Sequence, residues 1–82
     1  MKPDKPTLER EGDINRKLSA RVRLQLRIAD INQTAAAKAL GYARPTLGQR
    51  LRGKRSLTGA DLVRIARLTG TNVVDLFPED LR

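Results

Sequence analysis

Asn32–Arg55 reads NQTAAAKALGYARPTLGQRLRGKR, and its punctuation decides the fold. Asn32 is a good N-cap, since its side-chain oxygen can accept from a backbone N–H of the first helical turn. Ala35, Ala36, Ala37, Ala39 and Leu40 follow, and alanine favours helix. Gly41 closes that helix, and Tyr42 and Ala43 make a turn. A second helix starts near Arg44. Pro45 sits within its first turn, where a missing N–H costs little. It runs to about Arg52, where Gly53 stops it. The spacing therefore predicts two short helices, Gln33 to Leu40 and Arg44 to Arg52. Leu47 and Leu51, four apart, form the inward edge of the second. A pair of helices joined by a Gly-containing turn of three or four residues is a helix-turn-helix arrangement.

Upstream, the pattern predicts a helix from Asp13 to Ala29 with Asp13 as N-cap. Leu18, Val22, Leu26 and Ala29 recur at helical spacing and form an apolar stripe. Ile14 extends it, and Leu24, Ile28 and Ile31 are expected to widen it. Arg16, Lys17, Arg21, Arg23 and Arg27 take the solvated side. Residues 1–12, polar with Pro3, Pro6 and Gly12, are expected to form a flexible arm. Downstream, Thr58-Gly59-Ala60-Asp61 is a capping-box start with Asp in place of the usual Glu. It opens a helix to about Thr69, stopped by Gly70. Asn72 can cap a last short helix, Val73 to Phe77, which Pro78 ends. Residues 79–82 are a tail. The expected fold is all-α, a bundle of about five helices in one domain over residues 13–78.

With 82 residues there is room for one small core. The chain has no Cys and no His, so disulfides, thiolate metal sites and the commonest general base are excluded. It has one Tyr and one Phe, which argues against gripping single strands by stacking bases on aromatic rings. The net charge is +8. Ile31 to Ala60 carries Lys38, Arg44, Arg50, Arg52, Lys54 and Arg55 and no Asp or Glu. A long acid-free, basic segment around two short helices points to a polyanion as partner. No paired carboxylates or phosphate loop accompany it, and Ser19 and Ser56 have no base nearby in the chain, so no enzyme, metal or cofactor is expected. The N-terminal residues lack an apolar run, and no run approaches membrane-spanning length. The expected compartment is the cytoplasm.

These residues resemble the lambda-repressor-like, or Cro/repressor-type (XRE), helix-turn-helix proteins of phages and bacteria. The resemblance covers about Val22 to Phe77. Ile31-Asn32-Gln33 stands where the family opens its second helix. Leu40-Gly41 stands before the turn, and Gly53-Lys54 follows the third helix with the usual number of residues between the two glycines. Thr69-Gly70-Thr71-Asn72 resembles the joint of the closing helices. The chain departs from the pattern at Ala36, where a larger apolar residue is usual, at Arg50-Leu51, and at Thr69 and Thr71.

The resemblance implies that the third helix lies in the major groove of double-stranded DNA, with its N-terminal residues at the base edges. Arg44, Pro45, Gly48 and Gln49 are then the base-reading positions. Arg44 can donate twice to guanine, and Gln49 can pair with adenine in the same bidentate manner. Gln33, Arg50, Arg52, Lys54 and Arg55 are the phosphate-contacting positions. Arg50 and Arg52 are equally readable as solvated side chains. Gly48 is readable as room for packing against the preceding helix or as close approach to DNA. The implied function is a sequence-specific transcriptional regulator of the phage or prophage repressor or Cro-like type. It would act as a homodimer on a two-fold symmetric operator, with Val74, Phe77 and Leu81 as a candidate apolar patch. The alternatives are an antitoxin-type module of the same fold with a protein partner, and a non-specific basic DNA binder.

Overall fold

The computed structural model describes residues 8–82. Four α-helices follow one another: α1 Glu11–Ile28, α2 Gln33–Leu40, α3 Arg44–Leu51 and α4 Gly59–Thr69. Two single 3-10 turns, Val73–Leu76 and Glu79–Leu81, complete the chain. The expected fifth helix is thus a 3-10 turn. Four residues close only one turn, and the adjacent β-branched Val73 and Val74 and the following Pro78 give it no means to propagate. The expected tail also carries a turn, held by Lys17 Nζ donating to Asp80 Oδ2 at 2.6 Å.

α1 begins before its expected start. Its N-cap is Arg10, which makes no side-chain capping bond, and Asp13 lies inside the first turn rather than capping it. Glu11 and Asp13 there complement the partial positive charge of the helix N-terminus. Glu11 and Gly12, assigned to the arm, are helical, while residues 1–7 lie outside the described residues. Asn72 precedes the 3-10 turn at Val73 but makes no side-chain capping bond, whereas the caps expected at Asn32 and Thr58 form. Asn32 Oδ1 accepts from Ala35 N at 2.8 Å. Thr58 Oγ1 accepts from Asp61 N at 3.0 Å, and Asp61 Oδ2 accepts from Thr58 N at 2.9 Å, which closes a full capping box.

The core is one cluster: Val22 and Leu26 from α1, Ala36, Ala37 and Leu40 from α2, Leu47 and Leu51 from α3, Leu62, Ile65 and Ala66 from α4, and Leu76. Leu47 and Leu51 are the inward edge of α3, as their spacing requires. Ala36, where a larger side chain is usual, is fully buried, so α2 sits close against its neighbours. The α1 stripe is narrower than expected. Leu24 is 37% exposed and Ile28 is 68% exposed. Each lies two residues from a stripe position, which turns it about 200° away on a helix. Ser19 and Gln25 are buried in their place.

Gly53 fixes how α3 leaves the core. Its φ is +78°, in the left-handed region, and a Cβ there would lie 3.0 Å from Arg16 Cγ and 3.2 Å from Arg16 Cα. Lys54 N donates to Gln49 O and Gly53 N to Arg50 O, so α3 closes in a Schellman turn pressed directly against α1. α1 ends in the same hydrogen-bond pattern, but with Asp30 in the left-handed position at φ +59°. Arg23 Nη1 donates to Leu51 O, placing a cation on the carbonyl end of α3.

Candidate nucleic-acid interface

The turn between α2 and α3 joins two helices of eight residues each. Five residues line one shallow depression on this pair: Gln33 from the start of α2, Arg44, Pro45 and Gly48 from α3, and Arg52 just beyond it. The floor is Gly48. A Cβ on it would meet Arg52 Nη1 at 3.4 Å and Gln33 Oε1 at 3.7 Å. The bare backbone at Gly48 lets Gln33 of α2 and Arg52 close in, as its packing reading expects, and leaves the surface recessed there. Arg44 and Pro45 are exposed on the rim. Gln49 is half-exposed and four residues on from Pro45, so the two share a face of α3.

Lys54 and Arg55 are exposed in the loop after α3. They border a second depression that Glu11, Gly12 and Asn15 of α1 also line. Asn15 Nδ2 donates to Ser56 Oγ at 3.0 Å, and Ser56 Oγ donates to Glu11 Oε1 at 3.2 Å, so this loop is tied to α1 on one side.

Arg50, expected as a phosphate contact or a solvated side chain, borders the same depression as Lys54 and Arg55 and packs onto Tyr42. Its guanidinium lies 4.9 Å from the centroid of the Tyr42 ring. Nη1 donates to the Ser56 carbonyl and reaches Asp61 Oδ2 at 3.4 Å. The side chain is 18% exposed, and the carboxylate it faces is 1% exposed. A position on the flank of α3 that faces α4 turns its cation inward, and sequence spacing alone does not tell this flank from the solvated one. Arg52, one turn away from Gly48, stays at the surface.

Two further arginines, expected on the solvated face of α1, lie beside the start of α2. Arg23 and Arg27 line a third depression with Asp30, Ile31, Asn32 and Gln33. The available signal was their spacing of four on α1, just ahead of the Asn32 cap. From Ile31 to Val74 the one acidic residue is Asp61, and it is buried. The whole α2–α4 segment therefore presents cations and polar groups without an exposed carboxylate. Among the described residues no group of acidic side chains is placed to hold a metal ion, and no helix is long and apolar enough to cross a membrane.

A helix-turn-helix family model matches residues 24–76, well over half of the chain and all of α2, α3 and α4. The chain belongs to the helix-turn-helix family. The match supports its Cro/repressor-like form and agrees with the extent over which the residues resemble that group. Comparisons with curated proteins and with solved structures gave no match. Within a helix-turn-helix domain α3 is the second helix of the motif, and the depression over Gly48 lies on its outer, N-terminal part. The domain is that of a DNA-binding regulator.

Proposed function

We propose that this protein is a sequence-specific regulator of transcription, of the phage or prophage repressor or Cro-like type, which reads the major groove of double-stranded DNA with α3. One observation carries the reading. Arg44, Pro45 and Gly48 meet Gln33 and Arg52 around a single open depression, on a segment that exposes no carboxylate. Arg44 and Gln49 are the hydrogen-bonding readers, and Gly48 lets a base edge approach the backbone. Pro45 offers only an apolar ring, suited to a thymine methyl group. Gln33, Arg52, Lys54 and Arg55 hold phosphates, joined by Arg27 from the last turn of α1, which shares a depression with Gln33. These contacts set register and supply salt-dependent affinity, while the base contacts supply choice.

The protein acts as a homodimer on two half-sites about one helical turn apart. Of the three residues expected to form an apolar patch, Val74 is half exposed, while Phe77 packs against the core and Leu81 is half-buried. Selection from a random duplex pool at about physiological salt tests the reading. Enrichment of a two-fold symmetric site is the expected result. An asymmetric site would remove the dimer and keep the regulator. Affinity without enrichment, collapsing as salt rises, would leave a charge-driven binder and overturn the assignment of α3.

A further inference from the structure

Asp61 does more than cap α4. Its carboxylate is 1% exposed and accepts from three separate parts of the chain. Oδ2 takes the Thr58 N–H at 2.9 Å, which is the local cap. Oδ1 takes the Tyr42 hydroxyl at 2.6 Å, from the turn that precedes α3. Oδ2 also faces Arg50 Nη1 at 3.4 Å, from the last turn of α3. Arg50 and Tyr42 are themselves stacked, with the guanidinium over the ring. One carboxylate of α4 thus grips both ends of α3. A cap needs a single acceptor oxygen, and the second oxygen and the full negative charge are spent on α3.

We infer that Asp61 is a specificity-determining positioning residue, which sets the tilt of α3 through Tyr42 and Arg50. The inference rests on α3 being the reading helix. Bidentate contacts to base edges tolerate errors of only about 0.5 Å and 10–20° in the placement of the donor. Arg44 and Gly48 sit between Tyr42 and Arg50 in the chain, so a small rotation of α3 about either tie moves the whole reading face. Phosphate contacts on flexible lysines and arginines absorb such a rotation. Loosening the hub therefore lowers discrimination more than it lowers general affinity.

The test uses the full chain and the site won from the random pool. Affinities for the matched and a scrambled duplex are measured against salt for the wild type, Tyr42→Phe, Asp61→Asn and Arg50→Gln, at a temperature where melting curves show each protein folded. Tyr42→Phe, which removes one hydroxyl, is expected to lower the matched-to-scrambled ratio roughly tenfold, the weight of one good base contact, with an unchanged salt slope. Arg50→Gln is expected to behave alike. If Tyr42→Phe lowers the melting temperature and keeps the ratio, Asp61 is a cap only and the inference is overturned. A salt slope reduced by about one in Arg50→Gln would place Arg50 on a phosphate and overturn it too. Should Asp61→Asn fail to fold, Tyr42→Phe still decides. A wild type that wins no site would fell the reading of α3 itself, a result distinct from a variant that keeps the wild-type preference.

Discussion

The Tyr42 hydroxyl donates a 2.6 Å hydrogen bond to Oδ1 of Asp61, nineteen residues along the chain, and so joins the turn before α3 to the first turn of α4. Tyr42 is the only tyrosine and there is no tryptophan, so the phenol can be followed alone by its absorbance in alkali. The hydrogen bond to Asp61 raises its pKa, with burial and the nearby negative charge adding to the effect. The neutral phenol is the form that the fold favours. The stabilisation from this bond is complete below the unfolded value of about 10 and is lost as pH rises through the higher folded value. The expected phenolate midpoint in the native protein lies above 10, and Asp61→Asn lowers it. A native midpoint at or below that of free tyrosine would show that the bond does not form in solution.

Gly53→Ala is expected to be among the most damaging single-methyl additions in the chain. A left-handed backbone alone costs a non-glycine residue about 1–2 kcal/mol. The new Cβ would also press on the backbone of α1 at Arg16, which cannot swing aside. Urea unfolding should show a lower midpoint with an unchanged slope. An unaffected midpoint would mean that the α3–α4 loop does not lie against α1.

Gly48→Ala is expected to separate folding from binding. Alanine is favoured over glycine in a helix by about 1 kcal/mol. Its Cβ would touch only the ends of two flexible side chains, those of Arg52 and Gln33. The melting temperature should therefore rise while affinity for the matched duplex falls. Unchanged or tighter binding in titrations would remove Gly48 from the reading surface.

Arg44→Ala and Lys54→Ala should differ in kind. The first should cost about 1–3 kcal/mol on the matched site and relax preference at one base pair. The second should weaken matched and scrambled duplexes alike and reduce the salt slope by about one. Identical behaviour of the two variants across both duplexes would contradict the assigned roles.

Asp30 puts an exposed carboxylate into the depression that Arg23, Arg27 and Gln33 share. Asp30→Asn keeps a residue that tolerates the left-handed conformation and removes the charge. Binding to all duplexes should tighten by up to about 1 kcal/mol at low salt and converge with the wild type at high salt. Weaker binding at low salt would place this side of α2 away from the DNA.

What the sequence determined by itself is local. Asn32, Gly41, Pro45, Gly53, Thr58 and Gly70 bound the helices because capping bonds and backbone preference act within a few residues. The spacing of Leu18, Val22 and Leu26, and of Leu47 and Leu51, named the buried faces for the same reason. The acid-free span around α2 and α3 points to a polyanion through charge alone.

Which cations stay free depends on packing between distant segments. Arg50 and Arg52 stand two apart in the same acid-free segment, yet one is drawn onto Asp61 and Tyr42 while the other stays beside Gly48 at the surface. Arg23 left the solvated face to cap α3, and Leu24 and Ile28 stayed out of the core they were expected to join. Each outcome depends on what lies across from a side chain once distant segments meet. A buried carboxylate attracts whichever guanidinium packing brings within reach, and no local pattern in the chain encodes that choice.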